Sequence, residues 1–220
     1  NLFTPLKSSP DEAFKDTAKT LDLNKMLIDM KEDMYLHMYD KLLKEKPNEK
    51  VLGVIRKYAP EIKAAAEEFG VNPTALAGAV YSEHALNVNW KDVLDVPAAL
   101  LLNKDTSIGL GQVKLSTADD LEKNKYIESL GDGWQGRNKR IAAPADPKEN
   151  MRYAAARLKQ IEDLWKDTYP EISERLDILN TLYNINPTGS RGVNANPRPN
   201  DFGANAHNAS DEIEKALEIY

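Results

Sequence analysis

Polar-proline steps punctuate this chain and mark where its segments must turn helical. Ser9-Pro10-Asp11-Glu12, Asn72-Pro73 and Asp146-Pro147-Lys148-Glu149 each place a side-chain acceptor ahead of a proline. At a first helical turn the missing N–H is no loss and the fixed φ is already helical. Behind these steps the apolar residues recur with a helical period and do not alternate. Met26, Met30, Met34 and Met38, widened by Leu27, Tyr35, Leu42 and Leu43, form one amphipathic face. Core packing against the main body is the favoured reading of this stripe, with a partner-binding groove as the alternative. Further helices are expected at about 50–58 and 60–69, the second closed by Gly70, and from Asn72-Pro73 onward. An irregular stretch at about 87–108, a short helix from Ser116 and a glycine-rich loop at 131–136, a lid or substrate rim, follow. Met151, Ala154, Ala155, Leu158, Ile161 and Trp165 form one face of a long helix, and the next carries Ile172, Leu176, Leu179 and Tyr183. Residues Asn186 to Asn208 are rich in Asn, Pro and Gly and read as a surface loop before a short helix from Ser210. With almost no strand signal and no internal repeat, the expected fold is mostly α.

Composition removes several classes of function. A net charge of −6 with acidic and basic residues interspersed offers no track for a phosphate backbone, so nucleic acid is not an expected partner. No apolar run reaches the roughly 20 residues that cross a bilayer, so no transmembrane segment is expected. The N-terminal residues lack the apolar centre of a signal peptide, so an exported form would have lost its signal already. There is no cysteine, which excludes disulfides, thiol nucleophiles and thiolate metal sites. His37, His84 and His207 stand far apart, outside any metal-binding spacing, so a metal is not expected.

One carboxylate stands where carboxylates are rare. In the helix opened by Asn72-Pro73, Leu76, Ala79, Val80 and Glu83 follow the i, i+3, i+4, i+7 rule, which puts Glu83 on the apolar stripe. Partial desolvation there disfavours the charged form and raises the pKa toward the range of a general acid at neutral pH. A salt bridge or cap at the edge of the stripe is the structural alternative for an isolated glutamate.

The residues downstream carry a resemblance. Ser107-Ile108-Gly109-Leu110-Gly111-Gln112-Val113-Lys114-Leu115-Ser116-Thr117-Ala118 resembles the Ser-x-Gly-Leu-Met-Gln-Val/Ile-x-Pro-x-Thr-Ala segment of lytic transglycosylases and goose-type lysozymes. Asp146 to Ile161, with Glu149 to Leu158 at its centre, looks like that superfamily's Pro-x-x-Asn-Ile…Gly-Ala-x-Tyr-Leu helix, and Leu179 to Pro187 like its Tyr-Asn helix end. With Glu83 these segments come in the family's order over about residues 60–190. Gly111 stands where the family has methionine, Leu115 where many members have proline and His84 where many have serine. The interval from Glu83 to Gly109 is long, with Pro97 to Leu102 inserted as a short helix.

The resemblance implies a lysozyme-like helical domain at 59–190, an N-terminal helical extension at 1–58 packing on it, and a loop-rich tail with a terminal helix at 191–220. It implies a peptidoglycan lytic transglycosylase of the periplasm, cell envelope or exterior, acting on glycan strands without a cofactor. Carried over by position, Glu83 is the catalytic acid/base, and Ser107, Gly109, Gln112, Tyr183 and Asn184 bind substrate. Gly109 and Gly111 would admit the sugar to the backbone, a plain tight turn being the alternative. Tyr81, Trp90 and Trp134 are candidates for sugar stacking or for the core. Two other outcomes stay open on the same scaffold: a hydrolytic muramidase or chitinase-like enzyme using Asp92, Asp95 or Asp105, and a non-catalytic glycan- or protein-binding module.

Overall fold

The computed structural model describes residues 46–86 and 107–218, and the methionine stripe, Trp90 and Asp92, Asp95 and Asp105 lie outside them. The described residues are mostly helical. Nine α-helices account for most of them: α1 (Glu49–Lys57), α2 (Ala59–Phe69), α3 (Pro73–Leu86), α4 (Leu115–Lys123), α5 (Gly133–Ala142), α6 (Pro147–Trp165), α7 (Leu176–Ile185), α8 (Asp201–Asn208) and α9 (Ser210–Glu218). Strands β1 (Ser107–Ile108) and β2 (Val113–Lys114) form an antiparallel hairpin, with Ser107 opposite Lys114 and Ile108 opposite Val113.

Local chemistry sets the helix ends. Asn48 and Asp146 accept from the first free amides of α1 and α6 through their side chains, and Pro147 occupies the first turn of α6. Asn72 does the same for α3, accepting from Thr74 at 2.8 Å. Gly70 ends α2 at φ +64°, a left-handed conformation that favours glycine.

Helix α3 is the centre of the fold. Every residue from Thr74 to Ser82 is buried, as is His84. The expected stripe through Leu76, Ala79 and Val80 is therefore only part of a helix enclosed on all sides, which is how a central helix differs from a surface one. Helices α1, α2, α6, α7, α8 and α9 all pack on it. Tyr81 belongs to this core, its hydroxyl accepting from the Asn48 amide at 2.7 Å. The core continues through Tyr153, Leu158, Ile161 and Trp165 of α6 and Ile178 and Leu179 of α7. The Trp165 indole N–H donates to the Pro187 carbonyl at 2.6 Å and ties down the loop after α7.

Three local expectations are corrected. Residues 201–208 form helix α8 inside the segment read as loop, capped by Asn200, whose side chain accepts from the Gly203 amide. Phe202, Ala204 and Ala206 are buried, so α8 is core. The glycine-rich segment becomes helical at Gly133, with Trp134 and Gly136 inside α5. Arg140 of α5 pairs with Glu122 of α4 through two bonds of 2.8 Å and donates to the Gly131 carbonyl, which fixes this segment against the body. Ile172 lies in a separate 3₁₀ turn, Pro170–Glu174, ahead of α7. As for the limits expected at 58/59 and 190/191, Leu52 and Ile55 before them and Ile213 and Leu217 after them share one hydrophobic cluster with the helices between.

Candidate active-site cleft

Residues far apart in sequence meet around the C-terminal turn of α3. Glu83, Ser107, Gln112, Tyr183 and Asn184 line one cavity of about 230 Å³, together with Val113, Lys114, Thr117, Arg157 and Ile185. Five of the six residues expected from the sequence are thus neighbours. Gly109 is not among the lining residues. It occupies the hairpin turn at φ +74°, where its carbonyl accepts from Gln112.

The hairpin turn is held by one side chain from each of three helices. His84 of α3 reaches the Leu110 carbonyl at 3.1 Å, and because a carbonyl only accepts, Nε2 carries the proton. Burial holds this imidazole below the usual histidine range, in its neutral form. Asn150 of α6, fully buried, accepts from the Gly111 amide at 2.6 Å. Tyr183 of α7 donates to the Gly111 carbonyl at 2.7 Å. A Cβ on Gly111 would lie 3.0 Å from both the Ala154 Cβ and the Tyr183 hydroxyl, so the absence of a side chain is what lets these helices close on the loop. The Tyr183 hydroxyl thus spends its hydrogen bond on the loop backbone.

Gln112 follows with φ +48°, a left-handed conformation unusual for a residue with a side chain. Its backbone and side-chain amides both donate to the Gly109 carbonyl, at 3.1 and 2.9 Å. Among the described residues the side-chain oxygen has no partner and remains for the cleft. Asn184 is exposed at the rim, accepting from Asn200 at 3.1 Å.

Glu83 is the one carboxylate among the described residues lining this cavity. Desolvation pushes its pKa up to about 7, and the positive charge of Lys114 opposes this only weakly. Its place in the last turn of α3, at the negative end of the helix dipole, works in the same direction as burial. Tyr183 is raised by burial and then by the Glu83 charge, which makes a phenolate inaccessible and leaves the hydroxyl a donor.

The raised pKa has a consequence for folding. In the unfolded chain Glu83 would lose its proton near 4.5, whereas the folded protein keeps it to about 7. The folded form binds the extra proton between those values, so stability falls as pH rises through that window and the full cost stands above it. At 1.36 kcal/mol per unit the cost is of order 3 kcal/mol. Replacing Glu83 with Gln removes it. Urea unfolding of Glu83→Gln is expected to show a gain of about 2–3 kcal/mol over wild type at pH 8 and almost none at pH 4. Equal gains at both values would mean the side chain is not desolvated.

Lys114, Thr117 and Arg157 were not singled out in the sequence. Thr117 lies in the 107–118 segment whose residues carry the resemblance, but Arg157 has no sequence signal beyond its place on α6. Two other concavities are wider, about 610 Å³ beside Glu68, Glu122 and Arg152 and about 710 Å³ beside Glu171, Arg175 and Arg198. In the first, the carboxylates are paired with Arg152 and Arg140, and Glu68 is held below the usual range by Arg152. No group of three or more metal-binding side chains occurs among the described residues, and none of their helices is long and apolar enough to cross a membrane. No protein-family model and no curated protein sequence matches the chain.

Proposed function

We propose that this protein is a lysozyme-like lytic transglycosylase that cuts the β-1,4 bond between N-acetylmuramic acid and N-acetylglucosamine in peptidoglycan, outside the cytoplasm. The observation that carries the reading is Glu83: the one carboxylate among the described residues of a small cleft, its pKa pushed up to about 7 by burial. Classical retaining or inverting hydrolysis needs two carboxylates at a defined separation. The described cleft offers one, which suits chemistry in which the substrate supplies the second group.

Protonated Glu83 donates to the glycosidic oxygen as the bond from the muramyl C1 breaks, and the acetamido oxygen of the same sugar stabilises the cationic carbon. The carboxylate left behind then accepts the proton of the C6 hydroxyl as O6 bonds to C1. Glu83 ends protonated, no water is consumed, and the product is a 1,6-anhydromuramyl end. Gln112 is held in a strained backbone conformation with its side-chain oxygen uncommitted among the described residues, and such strain is often kept where a ligand must be positioned. The resemblance of the 107–118 segment gives this residue the same task. Tyr183 supports the reading indirectly, by fixing the loop that carries Gln112.

Mass spectrometry of the products from purified peptidoglycan tests the proposal. Anhydro ends are expected. Reducing ends would replace the reading with a hydrolytic muramidase, and retention on the glycan without turnover would replace it with a binding module.

A further inference from the structure

The cleft holds two cations that the acid/base chemistry does not use. Arg157 projects from α6 and lines the cavity with Glu83, while Lys114 lines it from β2. The Arg157 side chain is only 13% exposed, so its charge has been taken largely out of water. Burying a guanidinium is costly unless its donors are met. Here only Nη1 is engaged among the described residues, donating to Gln160 at 2.8 Å and to Asp120 at a long 3.5 Å. Asp120 is itself nearly half-exposed and accepts a shorter bond, 2.8 Å, from the Gln160 side-chain amide. Nε and Nη2 have no partner among the described residues. They form the edge of the guanidinium fork that matches a carboxylate with two parallel bonds. Desolvation draws the Arg157 pKa down, as expected of a cation whose counter-charge is incomplete.

Building on the reading of the cleft as a peptidoglycan site, we propose that Arg157, helped by Lys114, recognises the lactyl carboxylate of the muramyl sugar bound next to Glu83, and so selects strands in which that carboxylate is free. The cavity of about 230 Å³ holds both cations and the acid, which places the anion on the sugar undergoing cleavage and not on a distant appendage. With Glu83 protonated, the cleft residues leave a net positive charge in a chain whose overall charge is −6. A neutral oligomer of N-acetylglucosamine has nothing to pair with the open edge of the fork.

Isothermal titration of the Glu83→Gln protein, which binds without turnover, tests this with three tetrasaccharides. They are a muramyl-glucosaminyl tetrasaccharide with free lactyl groups, the same carrying stem peptides, and tetra-N-acetylglucosamine. The free-lactyl compound is expected to bind about tenfold more tightly than the neutral one, the size of effect a charge-assisted bond gives. Adding Arg157→Gln should reduce that ratio to twofold or less while leaving the neutral ligand's affinity unchanged, which also shows that the fold is intact. Arg157→Lys should restore part of the ratio. Equal binding of free-lactyl and neutral compounds, or no binding of any, overturns the proposal, and preference for the peptide-bearing compound assigns the anion to the stem and overturns the lactyl assignment. Product analysis of the wild-type protein is independent of these ratios, so failure of the transglycosylase reading would be seen separately.

Discussion

Glu83→Gln is expected to lower the rate of glycan cleavage by about 10³-fold or more while the protein stays folded. General acid catalysis contributes 10² to 10⁴ in typical sites. Here one group both delivers the proton to the leaving oxygen and accepts the proton of the C6 hydroxyl, so both halves of the reaction are lost. Gln occupies nearly the same volume and carries no proton of useful acidity. Turnover of soluble muropeptides, measured with circular dichroism on the same preparations, checks the result. A loss of less than tenfold would show that another group supplies the proton. The wild-type rate should also fall as pH rises through about 7, because the form that must donate is the protonated one.

Gly203→Ala is expected to lower stability by about 3 kcal/mol or more, the upper range for overfilling a packed interior. A Cβ at this position of α8 would collide with the Asp177 carbonyl and the Thr181 hydroxyl of α7. Neither can yield. The Thr181 hydroxyl is committed to the Asp177 carbonyl at 2.7 Å, and it accepts from the Asn200 amide at 2.9 Å. Ala206, one turn further along α8, lies 3.0 Å from where a Cβ on Gly78 of α3 would be, so α8 is packed closely against α3 as well. The displacement would reach α3 itself, where Ser82 donates to the Phe202 carbonyl at 2.8 Å. At 2–4 °C per kcal/mol for a chain of this size, the melting temperature should drop by roughly 10 °C. The same substitution at Gly53 meets nothing within 4 Å and has ordinary helical freedom. There a gain of about 0.5–1 kcal/mol is expected from the reduced entropy of the unfolded chain. Similar melting temperatures for the two variants would contradict the described packing of α8 on α7.

The contrast between α6 and α8 shows what was legible in the sequence. Helix α6 has a capping aspartate, a proline in its first turn and five turns of periodic apolar residues, so its local signals and its packing agree. Helix α8 is Asp201-Phe-Gly-Ala-Asn-Ala-His-Asn208, eight residues of mostly poor helix formers. It is helical because Asn200 caps it and because small residues let it dock closely on α3 and α7, a tertiary cause that no local pattern records. Helix α5 is similar. Its glycines read as loop, and the Arg140 pair with Glu122, eighteen positions apart, holds it in place.

At the site, Glu83 was legible because a carboxylate among apolar helix positions is rare enough to mark itself. Gln112, Ser107 and Tyr183 were legible only through family resemblance, since nothing in their own spacing says that they converge. Arg157 was invisible for a physical reason. An arginine on a long helix is most often solvated, and only the fold shows that this one is mostly buried and faces a cavity shared with an acid. The identity of the loop's three anchors, His84, Asn150 and Tyr183, likewise depended on knowing which helices meet.

The central claim is that burial makes Glu83 a proton carrier at neutral pH. Carbon-detected NMR titration of the glutamate side-chain carboxyls, with Glu83 assigned by its absence in Glu83→Gln, measures this directly. Half-protonation at about pH 7 is the expected result. A Glu83 signal that titrates near 4.5, like an exposed glutamate, would contradict the account of the cleft.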